Sequence, residues 1–105
     1  MDPQMKKGLL DAWVLYILLK EDTYGYKLTQ EITGILETSE SALYPVLRRL
    51  ECQGFLETYS AEYSGRLRKY YRITASGITR FNEIKTELKQ LKDLIERIIG
   101  GDNDG

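Results

Sequence analysis

The residues in this chain whose type and spacing could do chemistry are its cations. Arg48 and Arg49 are adjacent, and Arg66, Arg68 and Lys69 follow within one short segment. A guanidinium presents a planar fork of donors that binds a phosphate or a guanine edge bidentately. What is missing narrows the chemistry further. The chain has no histidine and a single cysteine, Cys52. No Ser-His or Cys-His nucleophile pair and no His- or thiolate-built metal site can therefore form. There is no Gly-rich phosphate loop, and spacing singles out no pair of carboxylates. A small enzyme is a poor reading, and no metal or cofactor is expected.

The net charge of −1 is the sum of two unlike parts. Residues 41–80 hold seven Arg/Lys against three acids, a net of +4, while the remaining residues hold 8 bases against 13 acids, a net of −5. A basic block in an acidic chain is the footprint of an anionic partner. At 105 residues the chain is one domain. Its longest apolar run, residues 12–19, is too short to span a membrane. No secretory signal is visible, and one cysteine fits a reducing compartment, so a cytoplasmic protein is expected.

The elements that must position the cations follow from periodicity. Leu9, Leu10, Trp13, Val14, Ile17 and Leu18 recur at helical steps and predict a helix over 9–20, after a polar leader at 1–8. Asp22 or Thr23 can cap a second helix over 24–36, with Leu28, Ile32, Ile35 and Leu36 as its buried stripe. Gly25 in its first turn points to a close packing contact there. Ser39 or Ser41 caps a third helix that stops at Gly54. Leu43, Val46, Leu47 and Leu50 face inward on it; Ser41, Ala42, Tyr44, Pro45, Arg48 and Arg49 face outward. With Ser39 as the cap, Pro45 lies deep enough to expect a kink. Cys52, near its end, is expected as a small buried side chain.

After Gly54 the period shortens towards 2. Residues 55–63 and 68–73 read as the strands of a hairpin turned by Ser64-Gly65. Thr74 caps a long helix over 75–99, in which Phe81, Ile84, Leu88, Leu91, Ile95 and Ile98 keep a 3-4 heptad rhythm. A helix of that length outreaches a small domain, so part of the seam is expected to meet a second chain. Residues 100–105, GGDNDG, are expected to be a disordered tail.

The fold class expected is mainly α with a β-hairpin. It is a winged helix-turn-helix over 1–74 with a C-terminal dimerisation helix over 75–99, packed with helix 9–20. In such a unit the third helix enters the major groove and the wing meets the flanking backbone.

Three stretches make the reading specific: DTYGYKLTQEI (22–32), SESALYPVLRRLECQGFLETY (39–59) and GRLRKYYRITASG (65–77). They resemble the PadR family of bacterial transcriptional regulators across residues 8–99, most specifically in LYPVLRRLE and RKYYRIT. The resemblance implies a homodimeric repressor bound to a roughly palindromic double-stranded DNA operator. It maps the recognition helix onto 39–53, with Ser41, Ala42, Tyr44, Pro45 and Arg48 towards DNA, and Ser39 and Arg49 on the same segment are further DNA-binding candidates. The wing tip maps onto 65–69, with Arg66, Arg68 and Lys69, and Thr23, Tyr24 and Gly25 meet the DNA backbone.

Dimerisation through the first and last helices would use Leu10, Trp13 and Ile17 with Phe81, Ile84, Leu88, Leu91, Ile95 and Ile98. Some family members release DNA on binding phenolic acids or flat hydrophobic drugs; Leu10, Trp13, Val14 and Ile17 are the corresponding effector candidates here. Two departures stand out: Leu67 replaces a frequent wing proline, and the last helix lacks the tryptophan of a drug-binding branch. A winged-helix protein-interaction module without DNA binding is the alternative.

Overall fold

The computed structural model describes residues 3–101, with side chains from Gly8 onward. Helix α1 runs Pro3–Lys20. It begins well before residue 9, so most of the expected leader is helical; proline suits a first helical position because its missing N–H has no partner there. Residues 9–19 are apolar at almost every position. This lets α1 act as the central helix, packed against the three other helices and the sheet. Val14 and Leu15 are wholly enclosed.

Residues Thr23–Tyr24 form a short strand, β1, and neither Asp22 nor Thr23 is the cap of the next helix. They pair antiparallel with a later strand, Thr23 opposite Tyr71 and Tyr24 opposite Tyr70. Threonine and tyrosine favour extended backbone, and an open sheet edge supplies their hydrogen bonds. Helix α2 then spans only Gly25–Thr33, with Tyr24 as an N-cap whose side chain makes no capping bond. The helix ends at Gly34, so Ile35 falls outside it and is 54% exposed rather than buried. Leu36 still packs against the core.

Helix α3 spans Glu40–Cys52, and the Ser39 hydroxyl accepts from the Ala42 N–H at 3.2 Å. Pro45 removes the helical bond to the Ser41 carbonyl, yet α3 runs on to Cys52. Its end is a Schellman turn: Phe55 N–H donates to the Leu50 carbonyl and Gly54 N–H to that of Glu51, with Gly54 at φ +81°. Cys52 is exposed, contrary to expectation. It lies two residues past Leu50, about 200° around the helix and off the inward stripe.

Strands β2 (Leu56–Tyr63) and β3 (Arg66–Ile73) form the hairpin. Tyr63 pairs with Arg66 across Ser64 (φ +53°) and Gly65 (φ +78°). Two left-handed residues in a two-residue loop match the right-handed twist of the strands. The sheet order is β1-β3-β2.

Helix α4 spans Ala75–Ile99, and the Thr74 hydroxyl accepts from the Gly77 N–H at 3.0 Å. Thr74 and Ser76 both donate to the Gly54 carbonyl, at 2.6 and 2.8 Å, stapling the start of α4 to the end of α3. A side chain on Gly77 would collide with the Phe55 carbonyl and with Ile73.

The heptad seam divides in two. Phe81 and Ile84 are each only 8% exposed, enclosed within this same chain, as is Leu10. These three leave little surface for the interchain contact expected of them, because the first turns of α4 fold back on α1. Further along, Leu91, Leu94, Ile98 and Ile99 are exposed, the last two by more than three quarters. The expected tail at 100–105 falls mostly outside the described residues; Gly100 caps α4 and Gly101 lies in a turn. No described helix is long and apolar enough to cross a membrane.

Candidate nucleic-acid interface

The open face of α3 follows from its inward stripe. Leu43, Val46, Leu47 and Leu50 are buried, which leaves Ser39, Ser41, Ala42, Tyr44, Pro45 and Arg48 exposed on the other side. The Ser39 and Ser41 hydroxyls lie 3.1 Å apart at the helix start. Arg48 makes no ion pair among the described residues. Arg49, one step round the helix, belongs elsewhere: its Nη2 donates to Asp11 Oδ1 of α1 at 2.5 Å and its Nη1 to Gln53 Oε1 at 3.3 Å. It is therefore withdrawn from the outward face on which the sequence places it.

Tyr44 joins α3 to the start of α2. A Cβ on Gly25 would lie 3.3 Å from the Tyr44 ring and 3.5 Å from its hydroxyl, so the glycine makes room for that ring. Burial first, then the Glu40 charge and Tyr71, push the Tyr44 pKa above its ordinary value. The hydroxyl stays protonated and can donate or accept. A cleft of about 240 Å³ opens here, lined by Tyr24, Gly25, Tyr26, Tyr44, Arg68, Lys69 and Tyr71. It brings α3, the start of α2 and the wing into one place. No side chain caps α2, so its first-turn N–H groups and the partial positive charge of a helix start are available at this cleft. Thr23 does not share in it: its side chain is 5% exposed, because β1 lies against β3.

Strand alternation sorts the wing. The register sets Arg66, Arg68, Tyr70 and Arg72 on one face with Glu57, Tyr59 and Tyr63, and turns Lys69 and Tyr71 to the other. The Arg68 guanidinium stands 4.5 Å over the Tyr24 ring and 5.6 Å over that of Tyr63. Its Nε is buried without a hydrogen-bond partner among the described residues. Lys69 Nζ lies 5.4 Å from the Tyr71 ring centre on the cleft side. At the wing root, Tyr70 stacks on Tyr59, Arg72 lies over Tyr59 and pairs with Glu57, and the Tyr59 hydroxyl donates to Asp22 at 2.6 Å. This tyrosine ladder escaped the sequence reading. The Ser64-Gly65 turn, taken as fixing the register, is the signal that would have found it.

The basic block thus divides. Arg49, Arg72 and Arg80 are held by carboxylates of Asp11, Glu57, and Glu83 and Glu87. Arg48, Arg66, Arg68 and Lys69 make no ion pair among the described residues, so the uncompensated charge lies on α3 and the wing.

Two clefts beside α1 lie away from this face. One, of about 630 Å³, is an apolar groove between α1 and α4 whose walls include Leu9, Asp11, Arg80, Leu88, Leu91 and Ile95. The other, of about 370 Å³, is lined by Trp13, Tyr16, Ile17, Lys20 and Ile35 among others. Of the effector candidates, only Trp13 and Ile17 line either cleft. Leu10 and Val14 are enclosed in the core and present no surface to a ligand. Among the described residues, no cluster of His, Cys, Asp and Glu side chains could hold a metal ion.

Comparison with known proteins agrees with this fold. Residues 14–83 match the model of the transcriptional regulator PadR-like family, a span that contains both LYPVLRRLE and RKYYRIT. The transcriptional regulator Rv3488 of Mycobacterium tuberculosis is 31% identical, over 93% of this chain and 90% of its own length. Among solved structures, smu.1704 of Streptococcus mutans is 40% identical with a TM-score of 0.87, covering 90% of each chain. A PadR-like transcriptional regulator of Bacillus cereus is 33% identical with a TM-score of 0.85, covering 93% of this chain and 98% of that one.

Proposed function

The chain belongs to the PadR-like family of transcriptional regulators, which are not enzymes, and we propose that it is a homodimeric repressor of a roughly palindromic operator. One observation carries the reading: within the basic block of residues 41–80, the cations that make no ion pair among the described residues are those on the open face of α3 and on the wing. On this reading α3 lies in the major groove, where Arg48 meets a base edge, with Ser39, Ser41, Ala42, Tyr44 and Pro45 against the groove wall. Arg66, Arg68 and Lys69 neutralise phosphates, since wing contacts position the protein more than they specify sequence. The α2 start at Tyr24 and Gly25 takes another phosphate.

The exposed apolar end of α4 supports a dimer. Leu91, Leu94, Ile98 and Ile99 form a water-facing strip on one helix, and it is continuous through Leu91 with the apolar groove between α1 and residues 80–96 of α4. The two-fold axis then sets two α3 helices about 34 Å apart, one turn of duplex. A flat aromatic effector would meet Trp13 and Ile17, in the cytoplasm where such a repressor works. Selection of bound duplexes from a random pool tests the reading. The expected result is an enriched inverted repeat with half-sites one helical turn apart; no enrichment would overturn it.

A further inference from the structure

We infer that the Asp11–Arg49 ion pair is a positioning device for the recognition helix: it sets the rotation of α3 and so governs sequence discrimination without touching DNA. This rests on the DNA-reading role proposed above for α3. Apolar packing holds α3 to the body through Leu43, Val46, Leu47 and Leu50, but such contact is non-directional and tolerates small rotations. A charge-assisted hydrogen bond is directional. The Arg49–Asp11 bond is short and half-buried, and it links residues 38 apart in sequence. Successive helix residues differ by about 100°, so holding Arg49 towards α1 turns Arg48 onto the open face. Gln53, one turn further on, braces the same guanidinium.

The other end of the pair is equally telling. Asp11 stands on the wall of the α1/α4 groove, across which Arg80, Leu88 and Leu91 lie. The strut therefore refers the α3 rotation to the seam between the first and last helices. In a two-fold assembly, the spacing and tilt of the two reading helices are set relative to that seam.

Asp11→Asn is the decisive variant because it opposes two expectations. It removes a negative charge, so electrostatics alone gives tighter binding to every duplex. Positioning gives weaker binding to a duplex that the wild-type chain selects, with little change on a scrambled duplex of equal length. We expect Asp11→Asn and Arg49→Gln each to lose about tenfold on the selected duplex. The double variant should be no worse than the poorer single one, with melting temperatures recorded alongside. Unchanged or tighter selected binding by Asp11→Asn would overturn the inference. So would equal proportional losses on both duplexes, which mark a merely structural role. If either single variant does not fold, the charge swap Asp11→Arg with Arg49→Asp serves: discrimination equal to that of the wild-type chain supports the strut, and a folded swap that has lost discrimination contradicts it. A wild-type chain that selects no duplex overturns the DNA-reading role itself, a result distinct from all of these.

Discussion

The guanidinium carbon of Arg68 lies 4.5 Å above the centre of the Tyr24 ring, joining the wing to the residue at the N-cap of α2. Tyr63 flanks the same guanidinium at 5.6 Å. A cation held over aromatic faces keeps its charge while its motion is restricted, so it meets a phosphate with less entropy to lose. Arg68→Ala should weaken binding to all duplexes and reduce the salt slope by about one. Tyr24→Ala should weaken binding a few-fold while leaving that slope nearly unchanged, since it removes the clamp and not the charge. Affinity measured across a salt series checks both; an unaltered slope for Arg68→Ala would remove it from the phosphate contacts.

The end of α4 makes a separate prediction about assembly. Leu94 and Ile98 are exposed by 52% and 78% in the single chain, more apolar area than an isolated helix end needs to show. Light scattering should give about 24 kDa for the wild-type chain, twice the 12.2 kDa of one chain. Leu94→Glu with Ile98→Glu should give the monomer mass with the α1–α3 core still folded. A wild-type mass of one chain would remove the dimer from the account.

Gly77 sits where α4 crosses the end of α3. Its N–H is taken by Thr74, and a Cβ there would meet the Phe55 carbonyl. Backbone cannot step aside as the far end of a side chain can. Gly77→Ala should therefore destabilise the fold by about 1–3 kcal/mol, despite alanine's better helix propensity. Denaturant melts would show it, and a stabilised variant would mean that the junction is looser than described.

The pH response follows from two tyrosines. Tyr59 is raised chiefly by the hydrogen bond it donates to Asp22, and Tyr44 chiefly by burial. A raised tyrosine pKa means that the fold favours the neutral hydroxyl. The stabilisation is complete below the ordinary value near 10 and is lost as pH climbs through the folded value. With no histidine in the chain, melting temperature and DNA affinity should be flat from about pH 6 to 9 and fall only above about 10. Tyr59→Phe should lessen the alkaline loss. A decline between pH 6 and 9 would contradict this assignment.

Much of the architecture was legible because it is local. Thr74 and Ser39 announce the starts of α4 and α3, Gly54 announces the end of α3, and Ser64-Gly65 announces the hairpin loop. These signals lie within a few residues of what they control. The strand at Thr23–Tyr24 was not legible, since two residues have no period and pair only because β3 has an open edge. The fate of Phe81 and Ile84 was hidden for another reason: a heptad rhythm says that a helix meets a helix, not whose. Arg49 looked like its neighbour Arg48 until folding brought Asp11 to it. Charge in the sequence located the candidate interface, but only the pairing pattern separated the cations of the basic block held by carboxylates from those left on α3 and the wing.

The central claim is that α3 and the wing read duplex DNA by sequence. An equilibrium titration of the wild-type chain and Arg48→Ala, on the selected duplex and on a scrambled one, tests it most directly. The wild-type chain should prefer the selected duplex by about 10³-fold or more. Arg48→Ala should lose about 1–3 kcal/mol on it and discriminate less at one base pair of each half-site. Equal wild-type affinity for both duplexes, or an Arg48→Ala variant indistinguishable from wild type, would contradict it.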